Sequence, residues 1–328
     1  MSKNNTILFI QRYKNFGGAE IQIDKLKTQF IKRYNLKVKT IILEDISSFF
    51  ILAFIKVVYK ILFTQKFDVM FIYQIYFFPL SLISKYLLKK KVIYSERIYS
   101  EKNKKRKFIY KYLLSSDLFI VNSEHTKSQY LGMKKNIVFL PNEVFQLDSP
   151  EHAPRNLNIK YIYIAIISRL SPEKNIIPTI KKISKELPSA IVTLYYTSFD
   201  KSYKDSLMEE LKKIKSQIVL KGKDSLSNIY KNNDLVLHPS LFEGTSNVIL
   251  ECGMNKMPIL MNNIPQNLIL NFHDGCYYNN TTELIYKLQK FQKNNNLDII
   301  VETNYNAASE YLNKNDWFKI DQLIKVIN

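Results

Sequence analysis

Glycine is scarce in this chain, with seven in 328 residues, and cysteine is scarcer, with two. Cys252 and Cys276 show neither metal-ligand spacing nor the makings of a disulfide framework, which suits a reducing, cytoplasmic compartment. His125, His152, His238 and His273 form no HExxH-type pattern, and there is no DxD-type pair and no Gly-x-Ser-x-Gly elbow. No metal site and no cofactor is indicated. A GxGxxG fingerprint and a Walker loop are also missing, which removes the plain dinucleotide and P-loop readings. Long apolar runs are absent too. The longest, Phe49–Phe63, is broken by Lys56 and Lys60 and is too short to span a bilayer. The N-terminal run is too short for a signal peptide.

What the chain does have is charge and apolar content. The formal charge is +19, mostly lysine, and 46% of the residues are hydrophobic. That is enough apolar material for two cores rather than disorder, at a length that suits two domains. The charge predicts attraction to phosphates, acidic lipid or nucleic acid. Abundant lysine, asparagine and isoleucine would also follow from a low-GC genome, which lowers its weight.

Short β-rich runs alternate with helical patterns. Strands are expected at Ile7–Ile10, Val38–Leu43, Asp68–Tyr73, Val92–Tyr94, Leu118–Val121 and Ile137–Leu140. Helices are expected at Ala19–Tyr34, Ser47–Gln65, Pro79–Lys89, Lys102–Leu114 and Glu124–Leu131. QLDSPEHAPRNLN, Gln146–Asn158, reads as a linker. The alternation restarts with the strand Tyr161–Ile167, the helix Pro172–Leu187, the strand Ala190–Tyr196 and the helix Ser202–Lys215. It continues with the strand Ile218–Leu220, the helix Leu226–Asn233, a strand from Asp234, the helix Asn247–Asn255 and the strand Pro258–Met261, and it ends in a helical tail, Tyr305–Asn328. Such alternation implies α/β domains with doubly wound parallel sheets and ligands at the strand carboxyl ends.

The richest stretch is His238–Met254, HPSLFEGTSNVILECGM, a strand end, a loop and a helix entered through Ser246 or Asn247. This geometry aims backbone N–H groups and the helix dipole at an anion. Glu251 stands among apolar neighbours, so it reads as a buried carboxylate in need of partners, either a lysine or the helix dipole, or the hydroxyls of a sugar. Gly17-Gly18 opens the first helix and admits close backbone approach to a ligand, or is a simple tight turn. In SRLSPEKN, Ser171 and Pro172 form a helix start, and Lys174 in its first turn opposes the dipole unless an anion is bound. Arg169 beside it offers a fork suited to phosphate. Glu96-Arg97 follows the strand Val92–Tyr94 and is either a structural pair or part of the site. Phe49, Phe50, Phe54 and Tyr59 ride with Lys56 and Lys60, and Lys89–Lys91 and Lys102–Lys107 add basic surface. This is a core stripe with a solvated face, or a helix for an anionic membrane interface.

These motifs resemble those of a known family. Phe16–Glu20 (FGGAE), Phe139–Val144 (FLPNEV), Ser168–Asn175 and above all His238–Glu251, with its E-x7-E pair, look like a retaining GT-B glycosyltransferase of glycosyltransferase family 4. The resemblance implies two Rossmann-like domains facing across a cleft. They would be an N-terminal acceptor-binding domain, 1–150, a nucleotide-sugar-binding domain, 151–304, and a C-terminal helix, 305–328, crossing back to the first with Trp317 docking it. It implies that Gly17, Gly18, Arg169 and Lys174 hold the donor diphosphate, that Glu251 holds ribose, and that Lys223 lies near the base. Glu243, with Gly244, Thr245, Ser246 and Asn247, would contact sugar and phosphates. Glu96, Arg97, Arg169, Lys174 and Glu243 are the implied catalytic residues, without a metal. Ser168 and Lys256 stand where glycines are usual, TSFDKSY (Thr197–Tyr203) replaces a glycine-rich segment, and SERIYS stands where a histidine is often found. These departures leave the donor sugar open.

The expected activity is transfer of a hexose or N-acetylhexosamine from a UDP-type donor to a surface glycan or lipid-linked acceptor. The expected location is the cytoplasm, with peripheral contact to the inner face of the plasma membrane. A nucleotide-sugar epimerase on the same scaffold is the alternative, and a basic module binding nucleic acid or membrane is a third reading.

Overall fold

The structure, a computed structural model, describes residues 5–13, 18–96, 116–130, 136–147, 160–214, 218–293 and 297–327. Gly17, Arg97, the helix expected at Lys102–Leu114 and most of the expected linker lie outside these residues. The chain divides into two compact units, Met1–Glu143 with Lys314–Asn328, and Val144–Asn313.

The first unit holds a six-stranded sheet in the order β2-β1-β3-β4-β5-β6. Its strands are β1 Thr6–Gln11, β2 Lys37–Ile42, β3 Val69–Ile72, β4 Lys91–Glu96, β5 Leu118–Val121 and β6 Ile137–Phe139, and each pairs with its neighbours in parallel. β1, β3 and β5 are buried along almost their whole length, which is why they read as continuous apolar runs rather than alternating ones. The described helices are α1 Gly18–Tyr34, α2 Phe50–Tyr59, α3 Phe78–Leu82 and α4 Glu124–Tyr130. α2 and α3 each run on into a π-helical turn, Lys60–Thr64 and Ile83–Leu87, so the longer helices expected from sequence end in widened turns.

The second sheet has the order β12-β11-β10-β7-β8-β9 and is also parallel throughout. Its strands are β7 Ile162–Ile167, β8 Ala190–Tyr195, β9 Ile218–Lys221, β10 Leu235–His238, β11 Ile259–Asn262 and β12 Tyr277–Tyr278. The helices are α5 Ile176–Glu186, α6 Lys201–Lys213, α7 Leu226–Asn232, α8 Asn247–Met254, α9 Pro265–Leu268, α10 Thr281–Lys293 and α11 Leu297–Asn313. The first strand in sequence, β7, has its successors β8 and β9 on one side and β10 to β12 on the other. The strand order therefore reverses between β7 and β10, the position at which open α/β sheets take ligands, at the strand carboxyl ends. Asp234 secures the pair by accepting from the backbone N–H of Tyr163 at 2.7 Å.

The tail differs from its sequence reading. Residues 305–313 belong to α11, which packs on α8 in the second unit. The last helix, α12 Trp317–Ile327, is separate and belongs to the first unit. Ile320 and Ile324 enter that unit's core beside Phe30 and Phe71, and Trp317 meets Phe30 edge-on at 6.1 Å. Asp316 fixes the entry by accepting from Phe139 N at 2.8 Å and from Lys127 Nζ at 3.2 Å. Lys256, at a position where the resemblance implies glycine, has φ 52°. It adopts the left-handed conformation that a glycine would take without strain.

Candidate active site

The site is built on two loops of the second unit, the ones that follow β7 and β10. The segment after β7 is not the helix start expected from sequence. Pro172–Lys174 forms a 3-10 turn, Asn175 takes φ 53° in the left-handed region, and α5 begins only at Ile176. The Ser171 hydroxyl makes no capping bond to this turn and instead donates to Glu173 Oε1 at 2.7 Å. Lys174 thus lies outside the first turn of α5, and the dipole argument for it does not hold. The start of α5 is capped by a phenol, because Ile176 N and Ile177 N donate to the Tyr203 hydroxyl at 3.1 and 3.3 Å.

The two loops are tied together. Leu241 N donates to Glu173 O at 2.9 Å, and the Lys174 ammonium donates to Glu243 Oε1. Both side chains are enclosed, 15% and 12% exposed. The same carboxylate oxygen lies 3.0 Å from Nε2 of His238, the last residue of β10, although the approach falls short of hydrogen-bond alignment. Burial would raise the Glu243 pKa by itself. His238 and Lys174 outweigh it, and the carboxyl is held well below its usual range. Arg169 donates to Glu173 Oε1 at 2.5 Å with its side chain half exposed. Glu173, in turn, is lowered: burial opposes the shift, while bonds from Ser171, the backbone and Arg169 outweigh it.

Glu251 departs from its reading as a buried charge. α8 buries Ile249, Leu250, Cys252 and Gly253, while Asn247, Val248, Glu251 and Met254 share its half-exposed face. Apolar neighbours in sequence sit on the opposite side of the helix, so Glu251 is only partly buried. The enclosed carboxylate is Glu243. Glu251 Oε1 accepts from Phe145 N at 3.5 Å, and Asn255 next to it holds Leu147 N at 2.7 Å and Phe145 O at 2.9 Å. The segment 144–147 is in this way fastened to the end of α8.

Ser246 occupies the N-cap position of α8 without a side-chain capping bond. Thr245 Oγ1 is 3.2 Å from the Tyr311 hydroxyl of α11. Gly244 and Asn247 flank this turn at intermediate burial, and Lys223 is exposed in the loop after β9. Gly18 begins α1 and Glu96 ends β4, both in the first unit. Glu96 is buried and accepts from the Tyr94 hydroxyl at 3.1 Å. Sequence reasoning missed His238 and Tyr203. The histidine was visible as the residue closing a buried strand one turn before Glu243. No local pattern marks a tyrosine that caps a helix from another element.

Chemically, the reversal point offers one enclosed ammonium, one guanidinium, and the uncapped end of α8, all cationic or N–H-bearing and all suited to an anion. Among the described residues, no three His, Cys, Asp or Glu side chains converge on a common point.

Comparison with known proteins agrees with this chemistry. Residues 149–295 match the model for glycosyl transferases group 1. No curated protein matches the chain in sequence. The fold is similar to that of Anabaena HepE, solved in complex with UDP and glucose, at a TM-score of 0.70 and 16% identity over 98% of both chains. It is similar to sucrose-phosphate synthase from Thermosynechococcus elongatus at 0.74 and 11% identity, over 98% of this chain and 99% of that one. A glycosyltransferase from Rickettsia africae gives 0.70 and 16% identity over 99% of each. The chain thus has the α/β architecture of the GT-B glycosyltransferases, and its residues 149–295 are similar to glycosyl transferases group 1.

Proposed function

We propose that this chain is a glycosyltransferase that moves a hexose or N-acetylhexosamine from a UDP-sugar to a glycan or lipid-linked acceptor, with retention of configuration and without a metal. The observation that carries the reading is the enclosed Lys174–Glu243 pair at the strand-order reversal, beside a helix start that its N-cap Ser246 side chain leaves uncapped. The donor diphosphate takes the ammonium of Lys174 and the fork of Arg169, with the N–H groups of α8 behind them. Glu243 then gives up one cation and keeps His238 as its neighbour. As the sugar–phosphate bond breaks, charge grows on the departing diphosphate. Fixed cations and dipoles stabilise that charge more than the ground state, which is the main source of rate. A phosphate oxygen on the same face takes the proton of the attacking acceptor hydroxyl, so the new bond forms where the old one broke. Glu251 holds the ribose.

Incubation with UDP-sugars and no acceptor tests this reading against the epimerase. Slow release of UDP with free sugar is expected, because water replaces the acceptor. A donor recovered intact with an inverted sugar centre would assign the chain to the epimerase reading.

A further inference from the structure

In the first sheet the order also reverses, between β1 and β3, since β2 lies on one side of β1 and β3 to β6 on the other. The residues at that reversal are unusual. Arg12, just past β1, is half-buried and has no carboxylate within ion-pair distance among the described residues. Its guanidinium lies 4.8, 5.0 and 5.7 Å from the ring centres of Tyr13, Phe50 and Tyr76. Its backbone N–H donates to Gln74 Oε1, beyond β3, at 3.2 Å. Beside it Gln11 is 2% exposed. The Gln11 Oε1 accepts from Lys27 Nζ at 2.7 Å. The Tyr76 hydroxyl is hydrogen-bonded to this guanidinium; the rings fix its plane, and its five N–H donors leave others for an oxyanion.

Phe50, one of those rings, is the first residue of α2, and the outer face of α2 is apolar and uncovered. Ile51, Ile55, Tyr59 and Phe63 are 75, 59, 59 and 71% exposed. Exposed Lys56 and Lys60 flank the stripe, while Ala53, Val57 and Ile61 face the core. Four apolar side chains on one face, edged by lysine, are costly in water and suit the boundary of an anionic bilayer.

We propose that the acceptor is a phosphorylated lipid, its phosphate or diphosphate held by Arg12 at the β1/β3 reversal and its tail entering the bilayer along α2. The argument rests on the transferase reading above for the word acceptor, but the binding is tested without turnover. Vesicle flotation uses the full chain with phosphatidylcholine alone, and with phosphatidylcholine doped with phosphatidic acid. Wild type is expected to float with the doped vesicles only. Arg12→Gln is expected to weaken that binding at least roughly tenfold, as loss of a charge-assisted hydrogen bond does. Ile51→Asp is expected to abolish it. Lys32→Gln, an exposed lysine on α1, removes the same charge elsewhere and is expected to change little. Both Arg12→Gln and Ile51→Asp should bind UDP like wild type, which separates failure here from failure of the donor reading. Equal losses in Arg12→Gln and Lys32→Gln would overturn the headgroup site. Binding of inorganic pyrophosphate at Arg12 without any flotation would overturn the lipid.

Discussion

Replacing Lys174 with methionine is expected to lower sugar transfer by about 100-fold to 1,000-fold, the usual loss when one preorganised group is removed from a developing anion. The same change strips an enclosed carboxylate of its cation, and breaking such a pair destabilises the fold in its own right. A second variant separates the two effects. Lys174→Met combined with Glu243→Gln removes the unpaired charge, so stability should return towards that of wild type while transfer stays lost. Recovery of transfer in the double variant would mean that Lys174 acts only as a structural partner. The pH dependence has a fixed sign. Because the Glu243 carboxyl is held below its usual range, its contribution to stability is complete above about pH 4, the unfolded carboxylate value. That contribution is lost only as pH falls further, through the folded value. Denaturation of wild type against Glu243→Gln across the acid range should show the difference shrink only there.

A valine at Gly253 is expected to cost several kcal/mol of stability. A Cβ on Gly253 would sit 2.7 Å from Ala308 Cβ, 2.8 Å from Phe272 Cζ and 3.0 Å from Asn304 O. One of these is backbone, and Ala308 and Phe272 are buried, so the clash cannot be relieved by a single flexible side chain. Overpacking costs about 1–3 kcal/mol in ordinary cases, and valine adds two methyls to an already impossible Cβ. Alanine should cost less, within that ordinary range. The two thiols report the outcome. Burial pushes Cys276 up to about 11 and the wholly buried Cys252 higher still, so neither should react with thiol reagents in the native protein. Gly253→Val should make them reactive at a denaturant concentration where wild type stays protected. Unchanged protection would show that α8 and α11 can separate without cost.

The parallel sheets were legible because buried strands and amphipathic helices differ in period, and β1, β3, β5, β7 and β10 lie where apolar runs predicted them. What failed was decided by tertiary contact. SPEKN resembles a helix start, yet Asn175 turns left-handed and Tyr203 supplies the cap. The tail from Tyr305 reads as one helix, yet Asp316 bonds to β6 and ends the continuity. Thr281–Lys293 is a helix that the pattern left unassigned. Within the candidate site, composition around Glu251 could not say which face of α8 is enclosed, and the helix turns Glu251 to its partly buried side. The loops that the motif names follow β7 and β10, on either side of one reversal in strand order.

The central claim is that the loops after β7 and β10 hold a nucleotide diphosphate through Lys174. Calorimetric titration of UDP into wild type and into Lys174→Met with Glu243→Gln, with chelator and no added metal, tests it most directly. Saturable binding to wild type, at least about tenfold weaker in the double variant, is the expected result. Equal affinities in the two proteins, or no binding to either, would contradict it.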